Sequence, residues 1–357
     1  MYRRGWLQVV LREWMLAGSV AGWLLTSLVL RRWPRYDAGD AGVLFALGAL
    51  MVVTRGLERQ GLTAWLAHRL QTGRHAGFRL VFGTLVLSAL LTNDVTLLAL
   101  VPLALRLPLE FTEERVVLMA LAANVGSALT PFGNPQNLFL YWHYGVSAAA
   151  FLRTVAPLAW LALPLLALAL WTDRAAAKVQ AAQPDAPALK GGALGFAGLL
   201  GWTVAVVLHL LPLPVLGAVV LLAAALDRGS LRVDVGLLAT FAAFFGLTDQ
   251  LRYALQATIA HPQHVFLGAA LLSQAISNVP AALLLADFTA DWHALVWGVS
   301  VGGFGTLVAS LANVIAYRVY ARSRPRRARA LALKMQLAGA GMWVLGAGLY
   351  FAVHGGW

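Results

Sequence analysis

The sequence predicts an all-α polytopic membrane protein made of inverted-topology repeats, each with a re-entrant helical hairpin and a broken helix. Three observations predict it. First, 60% of the 357 residues are hydrophobic and 12% are charged, with a mean hydropathy of +0.73, whereas soluble domains carry roughly a quarter charged residues. Second, two apolar stretches, 78–107 and 265–287, are too long for one crossing yet carry Thr92-Asn93-Asp94 and Ser277-Asn278 at their centres. Third, one order of features occurs twice: Gly56-Leu57-Glu58, an amphipathic stretch, the first interrupted stretch, Val125-Gly126 and Asn137; then Gly246-Leu247-Thr248, an amphipathic stretch, the second interrupted stretch, Val301-Gly302 and Asn313.

Composition also excludes function classes. The net charge of +12 comes from arginines in short connections between apolar segments, which reads as a topology signal rather than a nucleic-acid face. The chain has no cysteine, so disulfides, thiolate metal sites and cysteine nucleophiles are out. No phosphate-binding loop with its lysine occurs, which argues against an ATP-driven pump. No Ser/His, paired-Asp or His/Glu metal constellation falls at membrane depth, so no enzyme, no catalytic residue and no cofactor is expected. The start, MYRRGWLQVVLREWMLAG, has no small-residue cleavage site and reads as a retained first span.

A crossing helix needs about 20 apolar residues. Spans are expected at about 14–30, 41–53, 115–141, 150–171, 193–211, 213–226, 235–247, 292–317 and 332–353. Each arm of the two interrupted stretches is about half a membrane thick, and irregular backbone at that depth is tolerated only where protein or a cavity encloses it. Both stretches therefore read as hairpins that enter and leave on one side. Residues 56–71 set Trp65, Leu66 and Leu70 against Glu58, Arg59, His68 and Arg69 and read as an interfacial helix. The domain reading is a first repeat over 1–171, a linker and connecting span over 172–211, and an inverted second repeat over 212–357. Gln183-Pro184-Asp185-Ala186-Pro187 lies in the linker, and the unmatched span at 193–211 is what turns a direct repeat into an inverted one.

Arginine and lysine bias places the first hairpin's mouth in the cytoplasm and the second's outside, with a cytoplasmic N-terminus and an external C-terminus. One loop disagrees, since Arg31, Arg32 and Arg35 would then lie outside.

The long span after each hairpin is interrupted by glycine, proline and polar residues: Thr130, Gly133, Asn134 and Asn137 in the first half, Gly303, Gly305, Thr306 and Asn313 in the second. Breaks of this kind expose backbone carbonyls that suit a small cation and half-helix amides that suit an oxyanion. With the tips Thr92, Asn93, Asp94 and Ser277, Asn278, Val279, these residues form the candidate substrate and ion site. A sodium position is expected near Asn93, Asp94 and Gly133. Asp94 is the sharpest of them, because an isolated ionised side chain at mid-bilayer costs at least about 2.5–3.5 kcal/mol; its counterpart is Val279.

With Thr92-Asn93-Asp94 and Ser277-Asn278-Val279 at the tips and Gly133-Asn134-Pro135-Gln136-Asn137 at the break, the chain resembles the ion-transporter superfamily of dicarboxylate and citrate carriers, arsenite exporters and sodium/proton antiporters. The resemblance covers nearly the whole chain and implies an inverted-repeat, commonly dimeric carrier with elevator-like motion. Dicarboxylate carriers typically show Ser-Asn-Thr at both tips; neither tip here keeps the final threonine, and Asn93-Asp94 is closer to the arsenite exporters. The expected function is secondary active transport of a small anion or oxyanion, citrate- or dicarboxylate-like, coupled to sodium or protons in a prokaryotic inner membrane, as a homodimer. Arsenite or antimonite export, sodium/proton antiport and a passive anion channel are the alternatives.

Overall fold

The computed structural model describes residues 14–71, 75–106, 111–175 and 188–355, and every regular element among them is helical. In chain order these are α1 (Trp14–Leu30), α2 (Ala38–Arg59), α3 (Leu62–Gln71), α4 (Ala76–Leu90), α5 (Asn93–Arg106), α6 (Thr112–Ala128), α7 (Pro135–His143), α8 (Ala148–Val155) and α9 (Ala162–Ala175). They continue as α10 (Ala193–Val207), α11 (Val215–Leu226), α12 (Val235–Leu255), α13 (Pro262–Ile276), α14 (Asn278–Ala286), α15 (Trp292–Gly302), α16 (Leu311–Ser323) and α17 (Ala328–His354). The N-terminal basic segment and Gln183–Pro187 lie outside the described residues. Among those described, four stretches are long and apolar enough to cross a membrane: Ala38–Arg59, Ala148–Asp173, Arg228–Leu255 and Pro325–His354. Leu28, Leu194, Leu221, Leu333 and Leu337 are each 60% exposed or more, the outward apolar surface that a lipid solvent requires.

Two helices run past the sequence expectation at their C-terminal ends, for one physical reason. Helix α2 runs beyond 53 to Arg59, and α12 beyond 247 to Leu255. The charged residues that end an apolar window do not end the helix when they find partners: Arg55 pairs with Glu58 at 2.6 Å and Arg59 with Asp227 at 2.7 Å. Asp249, inside α12, takes the Arg32 guanidinium at 2.9 Å and the Arg35 backbone N–H at 2.9 Å. In this way one of the arginines in the discordant loop has its charge neutralised locally, which weakens it as a topology signal. The amphipathic stretch 56–71 is not one helix; it breaks at Gly61, whose φ of 84° favours glycine, and α3 starts afresh at Leu62.

Two helix pairs follow the interrupted stretches. Helices α4 and α5 pack on each other across a break confined to Leu91-Thr92, and α13 and α14 do so across Ser277 alone. Helix α4 then packs along α6 and α13 along α15. The close approach depends on glycine: a Cβ at Gly126 would overlap the Leu85 carbonyl oxygen, and one at Gly302 would sit 2.5 Å from Ser273 Oγ. Gly126→Ala is therefore expected to destabilise by about 1–3 kcal/mol through overpacking. Gly268→Ala, with nothing within 4 Å of the new atom, should gain up to about 1 kcal/mol from helix propensity. Thermal unfolding of the purified variants measures both.

The main apolar core joins the hairpins to the broken helices, and a smaller separate cluster forms around Val53, Leu57, Phe196, Leu199 and Val219 from α2, α10 and α11. Leu91, at the first hairpin's turn, is seated in that smaller cluster.

Candidate functional site

Helix α6 stops at Ala128 and α7 restarts at Pro135; α15 stops at Gly302 and α16 restarts at Leu311. The restarts are locally encoded. Asn134 caps α7, its side chain accepting the Asn137 N–H at 2.9 Å with Pro135 in the first turn. Ser310 caps α16 by accepting the Ala312 N–H at 3.3 Å. A short polar side chain here takes an N–H that the helix cannot satisfy itself, and proline at the first position sacrifices a donor that had no partner.

The two breaks are held by the same bonds. Asn137 donates its amide to the carbonyls of Ser127, Ala128 and Thr130 at 3.2, 3.2 and 3.0 Å. Asn313 donates to those of Gly303 and Thr306, both at 3.1 Å. Thr130 Oγ1 donates to the Ala89 carbonyl at 2.8 Å, and Thr306 Oγ1 to that of Gln274 at 3.1 Å. In each half the asparagine thus takes up carbonyls left over by the broken helix, and the threonine fastens the break to the hairpin's first arm. Gly305, at φ 58°, lies against the Gln274 carboxamide, which accepts the Thr306 N–H at 2.9 Å.

The tips meet their own breaks. Thr92 caps α5, its Oγ1 accepting the Val95 N–H at 3.4 Å, while the Asn93 N–H donates to the Gly133 carbonyl at 3.2 Å. Asn93 and Asp94 belong to the first turn of α5 rather than to the interruption itself. In the second tip Ser277 has a φ of 77°, a conformation that costs a non-glycine residue about 1–3 kcal/mol, and its hydroxyl lies 3.5 Å from the Ala309 carbonyl. Asn278 is buried, with its amide nitrogen against Gly303, and Val279 packs onto the apolar core.

Among the described residues no hydrogen bond runs from tip to tip. The halves are joined by Asn124, on α6, which composition alone does not single out. Its amide donates to Asn313 Oδ1 at 2.9 Å and to the Gly303 carbonyl at 3.4 Å, and its Oδ1 accepts from Ser310 Oγ at 2.8 Å. Helix α5 also packs along α16, and α14 along α7, so each hairpin's second arm crosses to the other half's restart.

The polar inventory is lopsided. Asn93 Oδ1, Asp94 Oδ1 and Asn137 Oδ1 are buried without a donor, all at the first tip and its break, and Ser300 Oγ on α15 has no partner either. No lysine or arginine occurs in the tip and break segments 88–97, 124–137, 273–281 or 299–313. A cavity of about 230 Å³ is lined by Asp37, Asp40, Asp287 and Arg252 together with Phe139 and Phe245, whose rings are 5.6 Å apart.

Comparison with known proteins places the chain among membrane transporters. Residues 10–316 match the model of the CitMHS family, described as citrate transporter. The chain is 36% identical over 309 residues to inner membrane protein YbiR of Escherichia coli, covering 81% of this chain and 82% of that protein. It is 30% identical over 291 residues to the uncharacterized transporter MJ0456 of Methanocaldococcus jannaschii, covering 77% and 80%. It is also 35% identical over 167 residues to the silicon efflux transporter LSI3 of Oryza sativa subsp. japonica, covering 40% and 34%. With apolar helices long enough to cross a bilayer and a family match over most of its length, the chain belongs to the citrate transporter (CitMHS) family and is a multi-pass membrane secondary transporter of anions rather than an enzyme.

Proposed function

We propose that this protein is a cation-coupled carrier of a small oxyanion or weak oxyacid, with the coupling sodium ion or proton held at the first hairpin tip. The observation that carries the reading is the convergence of three buried, donor-less oxygens, Asn93 Oδ1, Asp94 Oδ1 and Asn137 Oδ1, on one tip and its break. An unsatisfied buried acceptor costs about 1–3 kcal/mol; a bound cation would offset that cost as a ligand to these oxygens, and a proton would remove the charge of Asp94 and turn it into a donor. Thr92, Thr130, Gly133 and Asn134 form the rest of this half-site. Ser277, Asn278, Val279, Gly303, Gly305, Thr306 and Asn313 form its partner, which offers the substrate neutral amides and hydroxyls.

The arms of 15, 14, 15 and 9 residues are at most about 22 Å long at 1.5 Å per residue, short of a hydrocarbon core of about 30 Å. Those lengths support re-entrant hairpins. The matched Asn137/Asn313 and Thr130/Thr306 bonds support a duplicated unit, and the separate cluster of α2, α10 and α11 supports a scaffold against which that unit slides.

A second reading concerns substrate charge. Absence of lysine and arginine from the tip and break segments disfavours a bare polycarboxylate and favours either a cation-accompanied anion or a protonated oxyacid. The relative LSI3, a silicon efflux transporter, points the same way. The test is flux into proteoliposomes under imposed sodium or proton gradients, with citrate, dicarboxylates, sulfate, arsenite and silicic acid. Concentrative, gradient-dependent movement of one of these is expected; equal flux without a gradient would make the protein a channel and overturn the proposal.

A further inference from the structure

We infer that the carrier has one cation site rather than two, because the Asn124 side chain fills the position in the second half that corresponds to the cation site in the first. The inference rests on the reading that a cation sits at Asn93, Asp94 and Asn137.

Within the broken helices, residues of the two halves correspond at a constant spacing along the chain: Thr130 with Thr306, Asn137 with Asn313, Ser127 with Gly303, and Asn124 with Ser300. The first three pairs hold matching positions in the bonds described above. The fourth pair does not match. In the second half Asn313 Oδ1 and the Gly303 carbonyl receive the Asn124 amide. In the first half the corresponding Asn137 Oδ1 receives nothing, and Ser300, which stands where an equivalent amide would come from, is buried with its own hydroxyl unpartnered.

An amide NH₂ is a neutral donor of two hydrogen bonds. Set between an asparagine oxygen and a backbone carbonyl, it satisfies the acceptors that would otherwise turn to a cation. Serine is shorter by one heavy-atom step and cannot reach across. The first half therefore keeps its acceptors free for an ion and the second half does not. The tips differ in the same sense: the first carries Asp94, an anion suited to a cation, and the second carries Val279, with no ligand atom. Two independent substitutions between the halves, Asn124/Ser300 and Asp94/Val279, thus select the same site.

The experiment uses purified full-length protein and two readouts, equilibrium binding of radioactive sodium and the rise in unfolding temperature in sodium relative to choline. Wild type should bind one sodium ion per chain with a single-site isotherm. Ser300→Asn, which supplies the missing amide to the first half, should abolish the sodium-dependent stabilisation while leaving the unfolding temperature in choline unchanged or higher. Asn124→Ser should raise the stoichiometry towards two, and Asn124→Ser with Val279→Asp should reach it. Absence of sodium binding in wild type would overturn this inference and leave the underlying reading only in its proton-coupled form, which the proton-gradient flux measurement tests separately. Sodium binding that is two per chain in wild type, or that survives in Ser300→Asn, would overturn the inference alone; the second measurement stands even where Asn124→Ser fails to fold.

Discussion

Asp173→Ala is expected to cost about 3–5 kcal/mol of stability, the range for breaking a buried ion pair from one side. Against a total stability of about 5–15 kcal/mol, that loss empties much of the folded population. Arg115, at the start of α6, and Asp173, near the end of α9, are 1% and 4% exposed and pair at 2.9 Å. The other Asp173 oxygen accepts the Phe78 N–H in the first turn of α4 at 2.8 Å, and Gly77 leaves room for both side chains, since a Cβ there would overlap them. One carboxylate thus fastens three helix ends around the base of the first hairpin. Removing it takes the carboxylate partner from a buried guanidinium. The double variant Arg115→Met, Asp173→Asn should recover more than half of the loss, because neither charge remains and asparagine still accepts the Phe78 N–H. Unfolding midpoints of the two variants in the same detergent check this; a double variant as unstable as Asp173→Ala would show that geometry rather than buried charge sets the cost.

This pair also marks a limit of what the sequence discloses. Arg115 reads as a flanking topology charge, because nothing local ties it to an aspartate in another helix. The hairpins and breaks were legible because Thr92-Asn93-Asp94, Ser277-Asn278 and the glycine- and proline-rich interruptions cannot be accommodated silently in apolar runs. Their lengths were less so. Asn93 and Asp94 read as part of the interruption, yet Thr92 supplies the cap and lets both enter the first turn of α5. The apolar windows of α2 and α12 stop short of the helix ends because a hydropathy window sees charge and not its partner, as with Arg59 and Asp227 or Asp249 and Arg32. Asn124 stayed hidden for a related reason. An asparagine among alanines and leucines in one helix has many uses, and only the spatial approach of Gly303, Ser310 and Asn313 fixes this one.

Asp94→Asn should abolish gradient-driven accumulation, with at least about a hundredfold loss in uptake rate, while raising stability in the absence of the coupling cation. Both effects follow from the same geometry. Asp94 Oδ1 is buried with no donor, beside Asn93 in the first turn of α5, while the Asn93 N–H is spent on the Gly133 carbonyl. An uncompensated carboxylate at that depth is costly until a cation or proton arrives, so replacing it by a neutral isostere relieves the empty carrier and leaves the ion bound by amide and carbonyl oxygens alone. A hundredfold loss corresponds to about 2.7 kcal/mol at 1.36 kcal/mol per decade, in keeping with the value of hydrogen bonds and contacts to a full charge. Val279→Asn, the same residue introduced at the second tip, should change uptake severalfold at most, because that side carries no charge to lose. Uptake in proteoliposomes and unfolding temperatures with and without sodium separate the outcomes. Retained accumulation in Asp94→Asn with unchanged sodium and pH dependence would remove Asp94 from the coupling site. A loss of accumulation accompanied by a lower unfolding temperature in choline would instead make Asp94 a structural cap on α5, a role in which the charge stabilises the empty fold rather than straining it.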